Sequence, residues 1–522
     1  MEARDAAPTV APDDPAALIS RRRRAMIIAA GLATMVLALL DTNIVVTAAW
    51  PIAHELDPVH GLERMPWLIA VYALAGTVSQ PLYGRLVDAY GPKAIYLLAS
   101  GLFLVGSACC GLAQDMTQLI VFRAVQGLGG GGLMSTVLVI AAALFPARER
   151  AGASGAGGVM VGLGMVLGPI IGGLLTQHLS WRWVFFVNLP LGIAAWIGIL
   201  IALRLPATGQ HREIDYLGAA LIAAAASALL VGLEFVGSGE AWTSPQLIGL
   251  GVAALILFLV FLWRQFTARD PIFPMTLFGN RVFRVAAPLQ FVTGFALTGS
   301  TVYVALYLQT VQGSEPTEAG LRLLPIAAGM IVGSAVGGWL IARLGRAKGV
   351  LVAGCFVATA GLALLSLLRR DTSTAQVSLD LFLLGAGLGQ IVGLGLLVVQ
   401  NAVSADYLGS ATTSIRFLQT MGGAIGTAVL GVIFVSRFES VVQGVPAAAI
   451  AHGGQQLPPD LVPMVINGLV RATDGVFTVA AVLMAIGVLL TILLPNQRIE
   501  DVPTDSGPRA DSPPHDASVS AA

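Results

Sequence analysis

Long apolar runs, broken by short polar or proline-marked stretches, cover most of this 522-residue chain. A helix needs about 20 mostly apolar residues to cross the hydrocarbon layer, and fourteen runs reach that length. They begin near Ala25, Pro66, Lys93, Thr117, Gly152, Trp181, Tyr216, Pro245, Val282, Thr317, Gly349, Gln376, Gly409 and Ala472. Their length and the loops between them predict transmembrane helices rather than barrel strands. The expected fold class is an all-α membrane protein with fourteen spans.

Composition supports this assignment. Hydrophobic residues make up 56% of the chain and charged ones 11%, and the mean hydropathy is +0.82. Soluble domains carry about 25% charged residues. The 61 glycines suit close helix packing in a membrane. Net formal charge is zero, which gives no reason to expect a nucleic-acid partner. Cys109, Cys110 and Cys355 all lie in apolar runs and read as small core fillers. Residues 1–20 are polar, and Arg21–Arg24 then precede a run too long for a cleavable leader, so the arginines are expected to hold the N-terminus in the cytoplasm.

Charge tests the count. With the N-terminus inside, 20 of the 29 lysines and arginines fall in cytoplasmic segments and 7 in external ones, leaving Arg123 and Arg416 within spans. That bias supports fourteen spans with both termini cytoplasmic. The loop "GRLVDAYGPK" from Gly84 also has a counterpart, "GWLIARLGRAK" from Gly338, at the same place in a second six-helix block. Residues 1–24 then form a cytoplasmic tail, 25–205 a six-helix half, 206–270 two inserted helices and 271–495 a second half. Residues 496–522 form a second cytoplasmic tail, rich in proline and serine, that reads as disordered. Two repeated halves with a site between them are a secondary-transporter architecture.

Several motifs resemble the major facilitator superfamily, and within it the fourteen-span drug:proton antiporters of the EmrB/QacA type. "GRLVDAYGPKAIYL" is similar to the superfamily's loop signature, although Pro92 and Ala89 stand where basic residues are usual. Gly84 and Gly91 permit a tight turn, Asp88 can accept from a neighbouring helix N-terminus, and the resemblance makes these residues and Lys93 a conformational switch. "GLGMVLGPIIGG" resembles the antiporter signature. Gly164, Gly168 and Gly172 recur every four residues as a flat packing face, and Pro169 removes a backbone hydrogen bond. "SWRWVFFVNLPLG" (180–192) and "YLQTVQGSEPTEAGLRLLP" (307–325) also match and are expected to be structural anchors.

The sharpest candidate is Asp41 in "LDTNIVVTAAWP". An acid in mid-span costs roughly 2.5–3.5 kcal/mol on insertion scales. It shares a helix face with Thr34, Ala38, Val45 and Ala48, so it is expected to point into the bundle. Trp50 stands where the resembling family has proline, and Pro51 follows. Arg123 in "FRAVQGLGGGG" must likewise face a cavity and pair with carbonyls or an acid, with Gln126 one turn away. The resemblance gives Asp41 and Arg123 the proton-coupling role. In the thirteenth span, Gln419 occupies the place where that family carries arginine, with Arg416 nearly one turn earlier. Other acids within or beside the runs, Glu234, Glu318, Asp380, Glu439 and Asp474, make weaker candidates.

By the same resemblance, spans 1, 4, 9 and 12 line a central cavity. Candidate substrate contacts are Asn43, Gln126, Met134, Gln290, Gln390 and Gln400, with Ser135, Phe295 and Asn401 beside them. Few polar fixtures in an apolar cavity favour a lipophilic or cationic small molecule. The expected protein is a monomeric, proton-driven exporter of drug-like molecules or secondary metabolites in the cytoplasmic membrane, in contact with lipid and using no cofactor beyond the proton gradient. A metabolite symporter of the same fold is the alternative, and a membrane sensor a more distant one. No convergent set of polar groups indicates an enzyme.

Overall fold

The computed structural model describes residues 21–58, 60–145, 164, 167–168, 170–203, 214–237, 244–442 and 462–496. Pro169, residues 443–461 of the loop expected near 440–470, and the expected tails before residue 21 and after 496 lie outside the described residues. Helices run α1 (Arg21–Leu56), α2 (Gly61–Tyr90), α3 (Pro92–Leu112), α4 (Met116–Leu144) and α5 (170–178). The short α6 (Trp183–Phe186) leads into α7 (Asn188–Ala202), and α8 (Tyr216–Gly237) and α9 (Pro245–Thr267) follow. The remainder comprises α10 (Thr276–Gly279), α11 (Arg281–Thr310), α12 (Pro316–Arg322), α13 (Leu324–Leu344), α14 (Lys348–Leu365), α15 (Thr374–Ala402), α16 (Leu408–Val441) and α17 (Val462–Leu493). Among the described residues twelve helices are long and apolar enough to cross a membrane.

Local chemistry sets the boundaries. Asp115, Asn280, Ser244 and Ser373 cap α4, α11, α9 and α15 by accepting from the backbone N–H of Gln118, Val282, Leu247 and Gln376. Gly91 (φ 83°) and Gly345 (φ 65°) end α2 and α13 in backbone that a side chain would strain. α1 does not stop at Pro51 but continues to Leu56.

The two halves repeat contact by contact. α4 lies on α2 and α3 as α15 lies on α13 and α14. Gly127, Gly129 and Gly131 of α4 press on the backbones of Tyr72, Ala99–Phe103 and Gly76; Gly385, Gly387 and Gly389 of α15 press on Ile326, Gly354–Ala358 and Met330. At equivalent turns Lys93 Nζ donates to Leu200 O (2.8 Å) and Lys348 Nζ to Ile492 O (2.6 Å), each completing the C-terminal end of its half's last helix. The inserted α8 and α9 pair with each other and reach both halves through α2 and α16.

Glycine matters here because helix attraction in lipid rests on close packing. Gly387→Ala, whose Cβ would press on the α14 backbone, is expected to cost about 1–3 kcal/mol of stability as an overpacked contact. Gly349→Ala, with nothing within 4 Å, should be neutral or slightly stabilising. Thermal unfolding of the two variants in detergent checks the contrast.

Candidate functional site

Asp41 on α1 is sealed, with 0% exposure, and the rest of its face is buried with it: Thr34, Ala38, Val45 and Ala48. It meets groups brought by two other helices, α4 and α7. Arg123 Nη1 donates to Asp41 Oδ2 at 2.7 Å, while Gln126 Nε2 (2.7 Å) and Asn188 Nδ2 (2.8 Å) donate to Oδ1. The capped start of α4 puts Arg123 and Gln126 on one face, one turn apart. Asn188 opens α7 and also donates to Ser107 Oγ on α3 (3.0 Å), which in turn donates to Phe185 O on α6 (2.9 Å).

Arg123 is 1% exposed and does not depend on the carboxylate alone. Its Nε donates to Leu68 O (3.1 Å), and Nη1 donates also to Gln126 Oε1 (2.9 Å). Its guanidinium sits 4.2 Å from the Tyr72 ring centroid, a cation–π distance. Besides Asp41, Arg123 therefore has a carbonyl, an amide oxygen and an aromatic face.

A second polar contact joins the halves. Asp88, near the end of α2, accepts from Gly409 N (2.7 Å), Ser410 N (2.9 Å) and Ser410 Oγ (2.5 Å) at the start of α16, 321 or 322 residues away. A carboxylate on a helix N-terminus satisfies orphan N–H groups and the helix dipole together. Gly84 lies against Gly409, Ser410 and Thr413, so the two backbones touch. Beside them Arg85 Nη2 donates to Asp270 Oδ1 (3.0 Å) on the segment that leads into the second half. Gln400 Nε2 donates to Thr412 Oγ1 (3.1 Å) and to Leu138 O (3.4 Å). The halves are therefore closed at the end that carries Asp88.

The candidates expected from sequence divide in the structure. Asp41, Arg123 and Gln126 are brought together. Gly164, Gly168 and Gly172 lie against Leu39, Asn43 and Ile44–Thr47 of α1, placing α5 on the helix that carries Asp41. Lys93 turns to its own half. The substrate candidates are dispersed: Asn43 Nδ2 donates to Leu39 O, Gln290 Nε2 to Ile391 O, and Gln390 packs against Gly337 and Gly354. Met134 is half-buried on α4 and Gln400 lies in the seam. Glu318 pairs with Arg322 at 2.7 Å. Trp181 Nε1 (2.9 Å) and Arg182 Nη1 (2.5 Å) both donate to Glu55, anchoring that motif to the end of α1. Sequence reasoning missed Asn188, Ser107 and Tyr72; the available signal was a lone asparagine and a lone serine in apolar runs.

Two repeated helical halves, the first enclosing a buried ion pair and both latched across their seam, define a polytopic membrane transporter. The chain belongs to the Major Facilitator Superfamily, whose family model matches residues 30–427. It is 30% identical over 519 residues to the multidrug transporter protein MdtP of Bacillus subtilis (strain 168), covering 92% of this chain and 95% of that one. It is 34% identical over 429 residues to the tetracenomycin C resistance and export protein of Streptomyces glaucescens, covering 82% and 79%. The crystal structure of the human organic anion transporter MFSD10 shares the fold at a TM-score of 0.63 and 15% identity, covering 90% of this chain and 100% of that one.

Removing one partner of a buried pair should cost more than removing both. Arg123→Leu is expected to destabilise by about 3–5 kcal/mol, and Asp41→Leu/Arg123→Leu by clearly less; thermal unfolding of the single and double variants measures it. Asp88→Ala should loosen the latch. In a cysteine-free background, a cysteine at Thr412, a position that is 0% exposed, should then react with maleimide faster than in the parent.

Proposed function

We propose that this transporter is a proton-coupled antiporter that exports lipophilic drug-like molecules or secondary metabolites. The observation that carries the proposal is the sealed Asp41–Arg123–Gln126–Asn188 cluster, an ionisable acid within a span, where such groups are rare and mark ion pathways. Asp41 takes and releases the proton, and Arg123 stabilises the charged form. The Asp88 latch, with Gly84 and Gly91, closes one side of the seam. Gly164, Gly168 and Gly172 form a sliding face against α1, and Pro169 belongs to the same switch motif. The resemblance to a multidrug transporter and to a tetracenomycin C export protein supports an export role.

In this proposal the chain has the fourteen-span EmrB/QacA arrangement: two six-helix halves, 25–205 and 271–495, and an inserted pair in 206–270. Both termini are cytoplasmic, the membrane is the cytoplasmic one, the unit is a monomer in contact with lipid, and no cofactor takes part. The latched end is then the cytoplasmic end. Binding of proton and cargo alternates as the halves rock.

Everted membrane vesicles test coupling and direction together. With an imposed proton gradient, wild-type vesicles should accumulate a fluorescent efflux dye, and Asp41→Asn vesicles with equal protein content should fall to background. Undiminished uptake by Asp41→Asn would overturn the coupling role, and gradient-driven loss of dye from wild-type vesicles would support a symporter.

A further inference from the structure

The seam holds one arginine whose positive charge the structure leaves unanswered. Arg123, Arg85 and Arg264 each end on a carboxylate: Asp41, Asp270 and Asp215. Arg416 does not. Among the described residues its side chain makes one hydrogen bond, Nη1 to Gln419 Oε1 at 2.8 Å. It is partly buried, eight residues into α16 and so about 12 Å along the helix from Leu408. A lone guanidinium at that depth is expensive unless something pairs with it.

Its direction follows from its neighbours. α2 packs on α16 at Gly409, Ser410 and Thr413, and α11 packs on it at Gly422, Gly423 and Gly426. Arg416 falls in the sector between these two contacts, facing the space between the halves. One turn on, Thr420 Oγ1 meets the side-chain amide of Gln80 on α2 (3.2 Å), which brings Gln80 to the same seam.

The hydrogen-bond inventory there is one-sided. The amide oxygen of Gln419 is occupied by Arg416, and the Gln80 amide meets the Thr420 hydroxyl, whose proton goes to Arg416 O (2.6 Å). Among the described residues the amide N–H groups of Gln419 and the remaining N–H groups of Arg416 have no hydrogen-bond partner, and they are not among the sealed, unpartnered atoms. Such a set accepts a group with lone pairs and no protons to give. Asp88, two turns along α2 from Gln80, is committed to Gly409 and Ser410 and cannot answer the charge. Leu138, packed against the buried cluster that contains Ile415, supplies apolar surface in the same seam.

We propose that Arg416, Gln419 and Gln80 form an anion site that holds the carboxylate, phenolate or other oxyanion of a lipophilic cargo. This names the cargo class within the export reading and rests on it. It also replaces the cationic cargo expected from sequence, because Arg416 would repel a cation here. Proton and anion do not compete by charge, since the anion meets Arg416 and not Asp41. Their alternation then depends on which end of the seam is closed.

The test is equilibrium binding to the purified full-length protein in zwitterionic nanodiscs, without a proton gradient. Three probes share one ring system: 9-anthracenecarboxylate, neutral 9-anthracenemethanol and the (9-anthracenylmethyl)trimethylammonium cation. Wild-type protein should bind the carboxylate about tenfold tighter than the neutral probe, the size of one charge-assisted contact. Arg416→Gln should erase that margin while the neutral probe binds as before. If Arg416→Gln also loses the neutral probe, Gln80→Leu decides: the carboxylate alone should weaken. Equal binding of all three probes, a preference for the cation, or a margin that survives these substitutions would overturn the site. Phosphatidylglycerol is added in a further arm; if it displaces the carboxylate and native mass spectra show the lipid retained only when Arg416 is present, the anion is a headgroup and the cargo assignment fails. Asp41→Asn should keep the anion margin, so failure of proton coupling and failure of this site read out separately.

Discussion

A carboxylate and a guanidinium taken out of water each carry a desolvation penalty of several kcal/mol, and their attraction offsets it only if every remaining lone pair and proton is satisfied. Asp41 meets that condition, and Arg123 meets it at Nε and Nη1, with its guanidinium over the Tyr72 ring. Three donors reach the carboxylate, and the guanidinium has a carbonyl, an amide oxygen and an aromatic face besides the acid. To supply those groups, α1, α2, α4 and α7 must sit in one relative register, with α3 and α6 held to it through Ser107 and Phe185. The packing of the first half follows from keeping one ion pair solvated by protein.

The second half has the same scaffold without the charges. Counted from the matched helix caps, Leu381 and Leu384 of α15 stand where α4 has Arg123 and Gln126, while the three glycines coincide. The repeat preserves close approach of backbones, which lipid-embedded helices need for any attraction, and leaves the chemistry free to diverge. One half thus carries the sealed acid, and the other carries Arg416 at the seam. The latch is similarly one-sided: Ala342 occupies in α13 the place of Asp88 in α2, four residues past the matching glycine.

Much of this was legible in the chain. Apolar run lengths gave the helical spans, and the paired loops at Gly84 and Gly338 gave the two halves. Asp41 and Arg123 stood out because charge within an apolar run is costly, and Gln126 because it lies one turn from Arg123. What could not be read was which distant groups complete each contact. Asn188 sits inside "SWRWVFFVNLPLG", where the aromatic residues suggested only an anchor. The partners of Asp88 are backbone N–H groups of Gly409 and Ser410, and backbone donors leave no signature in side-chain pattern. The substrate positions chosen as polar residues in cavity-lining spans went mostly to helix packing, because in hydrocarbon a glutamine is as readily spent on a neighbouring carbonyl as on a ligand.

Under the proposed proton coupling, the protonation state of Asp41 decides whether the Asp88 end of the seam stays closed. The most direct measurement is a spin-label distance across that end, between cysteines at exposed Tyr90 and Ser404, followed from alkaline to acid pH in lipid nanodiscs. The account predicts that the distance distribution changes with pH in the parent protein and stays fixed when Asp41 is replaced by asparagine. The same pH-driven change in the Asp41→Asn protein, or a parent distance indifferent to pH, would contradict it.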